Sequence, residues 1–146
     1  MRYVYYMRVS SNKQDLNMQE HAFKAWEQKL SAEEKPTSVV VIRDEGYSGK
    51  DERRPGLCKL LVAAGNGEFD VLAVYKLDRL SRRSNFALQT ILKLNDLKVG
   101  FFSLSQPHLD FRSQSPFRNS MLALMSDLAQ IARKSNCGWL REKNPT

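Results

Sequence analysis

The chain has 146 residues, enough for one compact domain and one extra element but not for two large domains. Apolar residues make up 42%, which excludes a disordered chain, and 23 basic against 16 acidic residues leave a net charge of +7, which points toward a polyanionic partner. No apolar run approaches the roughly 18–20 residues of a membrane span, the start lacks the apolar stretch and cleavage site of a signal peptide, and two cysteines, Cys58 and Cys137, form no CxxC pair. A disulfide framework or structural zinc site is therefore not expected, and a reducing cytoplasm is the expected compartment.

Tyr3 to Val9 is an apolar and aromatic run that reads as a buried strand. Ser11 and Gln14 fit a capping box, so a helix is predicted from there, with Leu16, Phe23, Trp26 and Leu30 near one face. The polar stretch Ser31 to Thr37 reads as a loop, and Ser38–Ile42 as a second strand. Asp44 to Pro55 fits neither period and reads as a mobile loop. Pro55 suits the first turn of a helix that runs through Leu57, Leu60, Leu61 and Ala64 and stops at Gly65. Val71–Tyr75 is a third strand, about Arg83 to Leu97 a helix, and Val99 to Leu104 a fourth strand. Short apolar strands alternating with helices predict an α/β fold with a mostly parallel sheet covered on both faces. Met121, Leu124, Met125, Leu128 and Ala132 then mark a last amphipathic helix, which fits either docking on its own domain or pairing with another subunit.

In open α/β sheets, sites form beyond the carboxyl ends of the strands. Two polar clusters fall there. Arg8-Val9-Ser10 closes the first strand, and the period of two puts Arg8 and Ser10 on one side. Lys76-Leu77-Asp78-Arg79-Leu80-Ser81-Arg82-Arg83 follows the third. A serine opposite several arginines suits phosphodiester chemistry, because guanidinium groups bind two oxygens at once and stay charged at any working pH. The plainer readings are a helix cap for the serine and a solvated helix start, capped by Asp78, for the basic run. No phosphate-binding glycine motif is present, and His21 and His108 have no partner at metal-ligand spacing.

Tyr6-Met7-Arg8-Val9-Ser10-Ser11-Asn12-Lys13-Gln14 resembles the signature of the serine recombinases, the resolvase and invertase family. Gln19, Asp44-Glu45-Gly46-Tyr47-Ser48-Gly49, Arg54-Pro55-Gly56-Leu57 and Lys76–Arg82 match in family order. The likeness covers about residues 1–131. It implies a catalytic domain that cuts and rejoins double-stranded DNA through a 5′-phosphoserine intermediate, with Ser10 as nucleophile. It implies that Arg8, Arg54, Arg79 and Arg82 bind the scissile phosphate, that Asp78 orients the arginines, and that Gln14, Gln19, Asp44 and Ser48 support the site. It implies no metal, nucleotide or other cofactor, and a homodimer that assembles to a tetramer on DNA. The group that deprotonates Ser10 stays open among a neighbouring arginine, Asp78 and water.

The resemblance implies four parallel strands, with room for a fifth, antiparallel edge strand. The expected organisation is a catalytic domain over 1–116, a dimerisation helix over 117–136 and a frayed tail over 137–146, with no DNA-binding domain in this chain. Near the end the pattern departs from the family. Arg118 and Asn119 stand where a Gly-Arg pair is usual, and Ala132 replaces a glutamate. Two alternatives are a non-catalytic truncated recombinase that pairs with a full-length partner, and a flavodoxin-like signalling domain. The second leaves the arginines without a purpose.

Overall fold

The strand that opens the chain, β1 (Arg2–Val9), sits inside the sheet, and every residue from Tyr3 to Val9 is buried. Only a strand covered on both faces can be apolar at successive positions, which is why Tyr3 to Met7 shows no alternation. In the computed structural model, which describes residues 1–9, 13–45, 54–112 and 118–133, β1 is followed by α1 (Lys13–Gln28), β2 (Ser38–Glu45), α2 (Pro55–Gly65), β3 (Val71–Val74), α3 (Leu77–Leu80), α4 (Ser84–Asp96), β4 (Gly100–Ser103) and α5 (Arg118–Arg133). The strands form one parallel sheet in the order β2-β1-β3-β4. The expected α/β architecture is thus observed. Beyond the four strands, the described residues hold one antiparallel pairing, an isolated bridge between Phe102 and Asp110.

The period of two sorts β1 between two cores. Val4 and Tyr6 pack with Leu57 and Leu60 of α2, Phe86 and Ile91 of α4, and Leu122 of α5. Tyr3, Tyr5 and Met7 face α1, where the Tyr5 ring stacks on Phe23 at 4.3 Å and Trp26 lies 5.5 Å from Phe102. Arg8 continues the even-numbered side, toward α2 and α3. β2 lies at the sheet edge, and Val39, Val40 and Val41 remain exposed there.

Two differences from the sequence reading bear on the site. β2 runs to Glu45, so Asp44 belongs to the strand and not to a loop; pairing with β1 through Arg8↔Asp44 and Val9↔Glu45 extends it. The basic run contains a separate short helix, α3, whose N-cap is Lys76 rather than Asp78, and Asp78 is its second residue. The helix expected from about Arg83 is present, with Arg83 as its N-cap and Ser84 as its first residue, and the Ser81 hydroxyl accepts the Arg83 N–H at 3.0 Å. The stop at Gly65 is as expected, and the chain turns away through Gly67, at φ 70°. Of the last helix, Leu122 joins the core and Arg118 bonds Asn95 of α4 and the Phe111 carbonyl, so its first turns dock on their own domain. Ser11 of the capping box lies outside the described residues, as do residues 134–146.

Candidate active site

The parallel order places the ends of β1 and β3 side by side, and the two basic clusters meet there as neighbouring strands should. Arg8, next to the last residue of β1, is 1% exposed, and its Nη2 donates to the Asp78 carbonyl at 3.3 Å. Arg54, immediately before α2, is fully buried; its Nη1 donates to the Arg79 carbonyl at 3.1 Å and its Nη2 to the Leu80 carbonyl. A four-residue helix ends with carbonyls that no helical partner satisfies. In α3 those carbonyls are filled by two guanidinium groups, so the arginines and the helix fix one another. The Arg54 guanidinium also lies 5.6 Å from the centre of the Tyr6 ring.

Arg79 is held from another direction. Its Nη1 donates to the Arg8 carbonyl at 3.3 Å, and it forms a two-point ion pair with Asp15 of α1. Gln19, completely buried, donates from Nε2 to the same Arg8 carbonyl at 3.2 Å. Arg82 is exposed just beyond α3. Burial, followed by the charges of Arg54, Arg79 and Arg82, lowers the affinity of the Arg8 guanidinium for its proton. Such a cluster favours an anion among them.

Asp44 sits beneath the cluster and is 2% exposed. Its carboxylate accepts the Gly56 N–H at 2.7 Å, the Leu57 N–H at 2.9 Å and the Tyr6 hydroxyl at 2.6 Å. Arg54, the N-cap residue of α2, makes no side-chain cap bond. Asp44 therefore caps that helix from β2, and the closeness is such that a Cβ on Gly56 would lie 2.8 Å from its Oδ1. Burial, above all, pushes the Tyr6 hydroxyl to higher pKa, so it stays a neutral donor.

The structure thus brings together Arg8, Gln19, Asp44, Arg54, Arg79 and Arg82. Asp78 is at the same place, but its side chain is half exposed, with its Oδ1 3.6 Å from Arg79 Nε. Its backbone carbonyl, not its carboxylate, receives Arg8. Gln14 is exposed on the first turn of α1. Ser10 and Ser48 lie outside the described residues. Two participants went unnoticed in the sequence. Tyr6 could have been found from its spacing of two before Arg8. Asp15 could not, since an acid in a first helical turn reads simply as a complement to the helix dipole. His21 and His108 are exposed, and among the described residues no group of three or more His, Cys, Asp or Glu is placed to hold a metal ion. No helix among the described residues is long and apolar enough to cross a membrane.

Comparison with known proteins agrees with this geometry. The family model "Resolvase, N terminal domain" matches residues 3–137. A DNA-invertase of Enterobacteria phage P7 is 31% identical over 129 residues, which cover 88% of this chain and 61% of that protein. The transposon Tn552 resolvase of Staphylococcus aureus is 35% identical over 101 residues, 69% of this chain and 45% of that protein. The chain therefore spans roughly half to three-fifths of the length of these relatives. Among solved structures, the N-terminal catalytic domain of TP901-1 integrase superposes with a TM-score of 0.73 at 25% identity, covering 94% of this chain and all of that one. A resolvase family site-specific recombinase from Streptococcus pneumoniae shares the fold, with a TM-score of 0.68 at 22% identity and coverage of 92% and 89%. These matches remove the ground for a flavodoxin-like signalling domain: the chain belongs to the resolvase N-terminal domain family of serine recombinases.

Proposed function

We propose that this chain is the catalytic domain of a site-specific DNA recombinase, with Ser10 as its nucleophile. The observation that carries the reading is the gathering of Arg8, Arg54, Arg79 and Arg82 at the β1 and β3 ends, one residue beyond which Ser10 follows Val9 in sequence. In this reading the Ser10 Oγ attacks the phosphorus of a DNA phosphodiester. A phosphoserine bond forms to the 5′ side, the bond to the 3′ oxygen breaks, and that oxygen leaves with a proton as a free hydroxyl. Religation is the reverse, with a 3′ hydroxyl attacking and the serine leaving.

The arginines act where charge builds on the phosphoryl oxygens. Fixed cations lower that barrier because they need not reorganise during the reaction. Arg82, exposed, and Arg79, partly exposed, are the members that reach solvent, and are assigned direct phosphate contact. Arg8 and Arg54 supply charge from beneath and hold α3 in place. Gln19 positions the Arg8 carbonyl, and Asp44 anchors α2. Asp78 orients Arg79, with Gln14 and Ser48 in supporting roles. The partner is double-stranded DNA, and α5 is assigned to pairing of two copies, which then assemble as a tetramer; Leu124, 55% exposed on that helix, is available for such a contact.

The test joins the chain to a sequence-specific DNA-binding domain and incubates it with nicked suicide substrates. Denaturing gels should show a protein–DNA adduct that Ser10→Ala abolishes. An adduct that survives Ser10→Ala but is lost in Ser11→Ala would move the nucleophile by one residue. Complete absence of adduct would favour a non-catalytic partner of a full-length recombinase.

A further inference from the structure

The acidic side chain of Asp15 is directed into the arginine cluster from α1. Its Oδ2 accepts from Arg79 Nη1 at 2.8 Å and its Oδ1 from Arg79 Nη2 at 3.1 Å, and each side chain retains only 18% exposure. This is the parallel two-point grip that a guanidinium gives to a carboxylate or a phosphate. A guanidinium has five N–H groups. Nη1 is fully used by Asp15 and the Arg8 carbonyl. Nε is buried, without a hydrogen bond among the described residues, and its nearest acid is the Asp78 carboxylate at 3.6 Å. Of the two edges of Arg79 that offer parallel donors, Asp15 fills the Nη1/Nη2 edge, and the Nε/Nη2 edge has its Nε buried, with the Asp78 carboxylate 3.6 Å away. The other nearby acids hold no such place: Asp44 is committed to Gly56, Leu57 and Tyr6, and Asp78 is half exposed.

We propose that Asp15 is a built-in counter-anion seated on the phosphate-binding edge of Arg79, so that a DNA phosphate engages Arg79 by displacing it. The proposal rests on the reading of Arg79 as a phosphate ligand and goes beyond it by naming what the phosphate must replace. It also explains how four clustered guanidiniums are tolerated without DNA, since Asp15 neutralises one of them. Asp15 therefore sets a balance: it stabilises the unliganded domain and weakens its hold on DNA.

The test compares four chains, the parent, Asp15→Asn, Arg79→Ala and the double variant, by fluorescence anisotropy with a short labelled duplex at several salt concentrations. Thermal melting of each chain is measured alongside. Asp15→Asn should bind at least about threefold tighter at low salt, with a log–log salt slope steeper by about one, and should melt at lower temperature. The gain should vanish in the double variant. A gain that persists there would reflect general loss of negative charge and would overturn the proposal. Unchanged or weaker binding by Asp15→Asn, with Arg79→Ala weakening the parent, would also overturn it while leaving Arg79 as a phosphate ligand. If Arg79→Ala changes nothing in either background, the phosphate assignment of Arg79 fails and the proposal with it. Should Asp15→Asn melt below the assay temperature, Asp15→Ser gives the same comparison with a residue suited to a helix start.

Discussion

Arg54 and Arg82 belong to one cluster but to opposite environments, and that difference predicts opposite outcomes. Arg82 is exposed, so Arg82→Ala should leave stability unchanged and reduce DNA cleavage by about a hundredfold or more, the scale of removing a transition-state donor. Arg54 is fully buried and bridges the Arg79 and Leu80 carbonyls. Arg54→Ala leaves buried acceptors unfilled and should lower unfolding free energy by about 2–4 kcal/mol. Urea titration measures the second effect and the adduct assay the first. A stable Arg54→Ala protein would show that the α3 carbonyls find other donors. The sequence disclosed which arginines gather, because strand ends are where parallel sheets place sites. It did not disclose which are buried, because that depends on α3, a helix too short to leave a periodic signal.

The first turn of α2 is governed by Asp44, twelve residues before the Gly56 N–H that it accepts, and single-sequence rules look for caps beside the helix. This is why Asp44 reads as part of a loop in sequence although it ends a strand and caps a helix in the fold. Longer elements were legible for the converse reason: β1, α1 and α2 bury enough apolar surface for their own pattern to decide them. Asp44→Ala should cost about 2–4 kcal/mol, since it strips the acceptor from Gly56, Leu57 and Tyr6 together. Gly56→Ala should cost about 1–3 kcal/mol by forcing its Cβ against the Asp44 carboxylate. The double variant removes both the clash and its cause, so its loss should be smaller than the sum. Denaturation of the four chains completes the cycle, and strict additivity would place the strain elsewhere.

Across the whole molecule, the charge of +7 is not gathered in one dense tail, and the arginine cluster is the one concentrated feature that the described residues present. The 146-residue chain should therefore bind unrelated duplexes alike, with dissociation constants at or above roughly micromolar and a steep loss with salt. Tight binding to one duplex that persists at high salt would show a base-reading element. At the opposite end of the strands from the arginine cluster, Asp70 joins β3 to the chain start. The side-chain hydrogen bond from Arg2, followed by that from the Arg2 backbone N–H, holds its carboxyl below the usual range. A depressed folded-state pKa adds stability that is complete above the unfolded value of about 4 and is lost as pH falls through the folded value. The pair is largely exposed, so solvent screening keeps the contribution small. Melting temperatures of the parent and Asp70→Asn should differ by a constant amount near neutrality and converge in acid.

The junction made by Asp44 also bears on how the chain can vary in length. The segment 46–53 leaves from Glu45 and returns at Arg54, and both ends are fastened by buried groups: Asp44 to the first turn of α2, and Arg54 to α3. These anchors hold the two ends of the segment close together. Each doubling of such a segment costs only about 0.6 kcal/mol of closure entropy. A peptide grafted between residues 46 and 53 should therefore leave the arginine cluster assembled, and thermal melting of the grafted chain beside the parent would show whether the anchors alone suffice to close it.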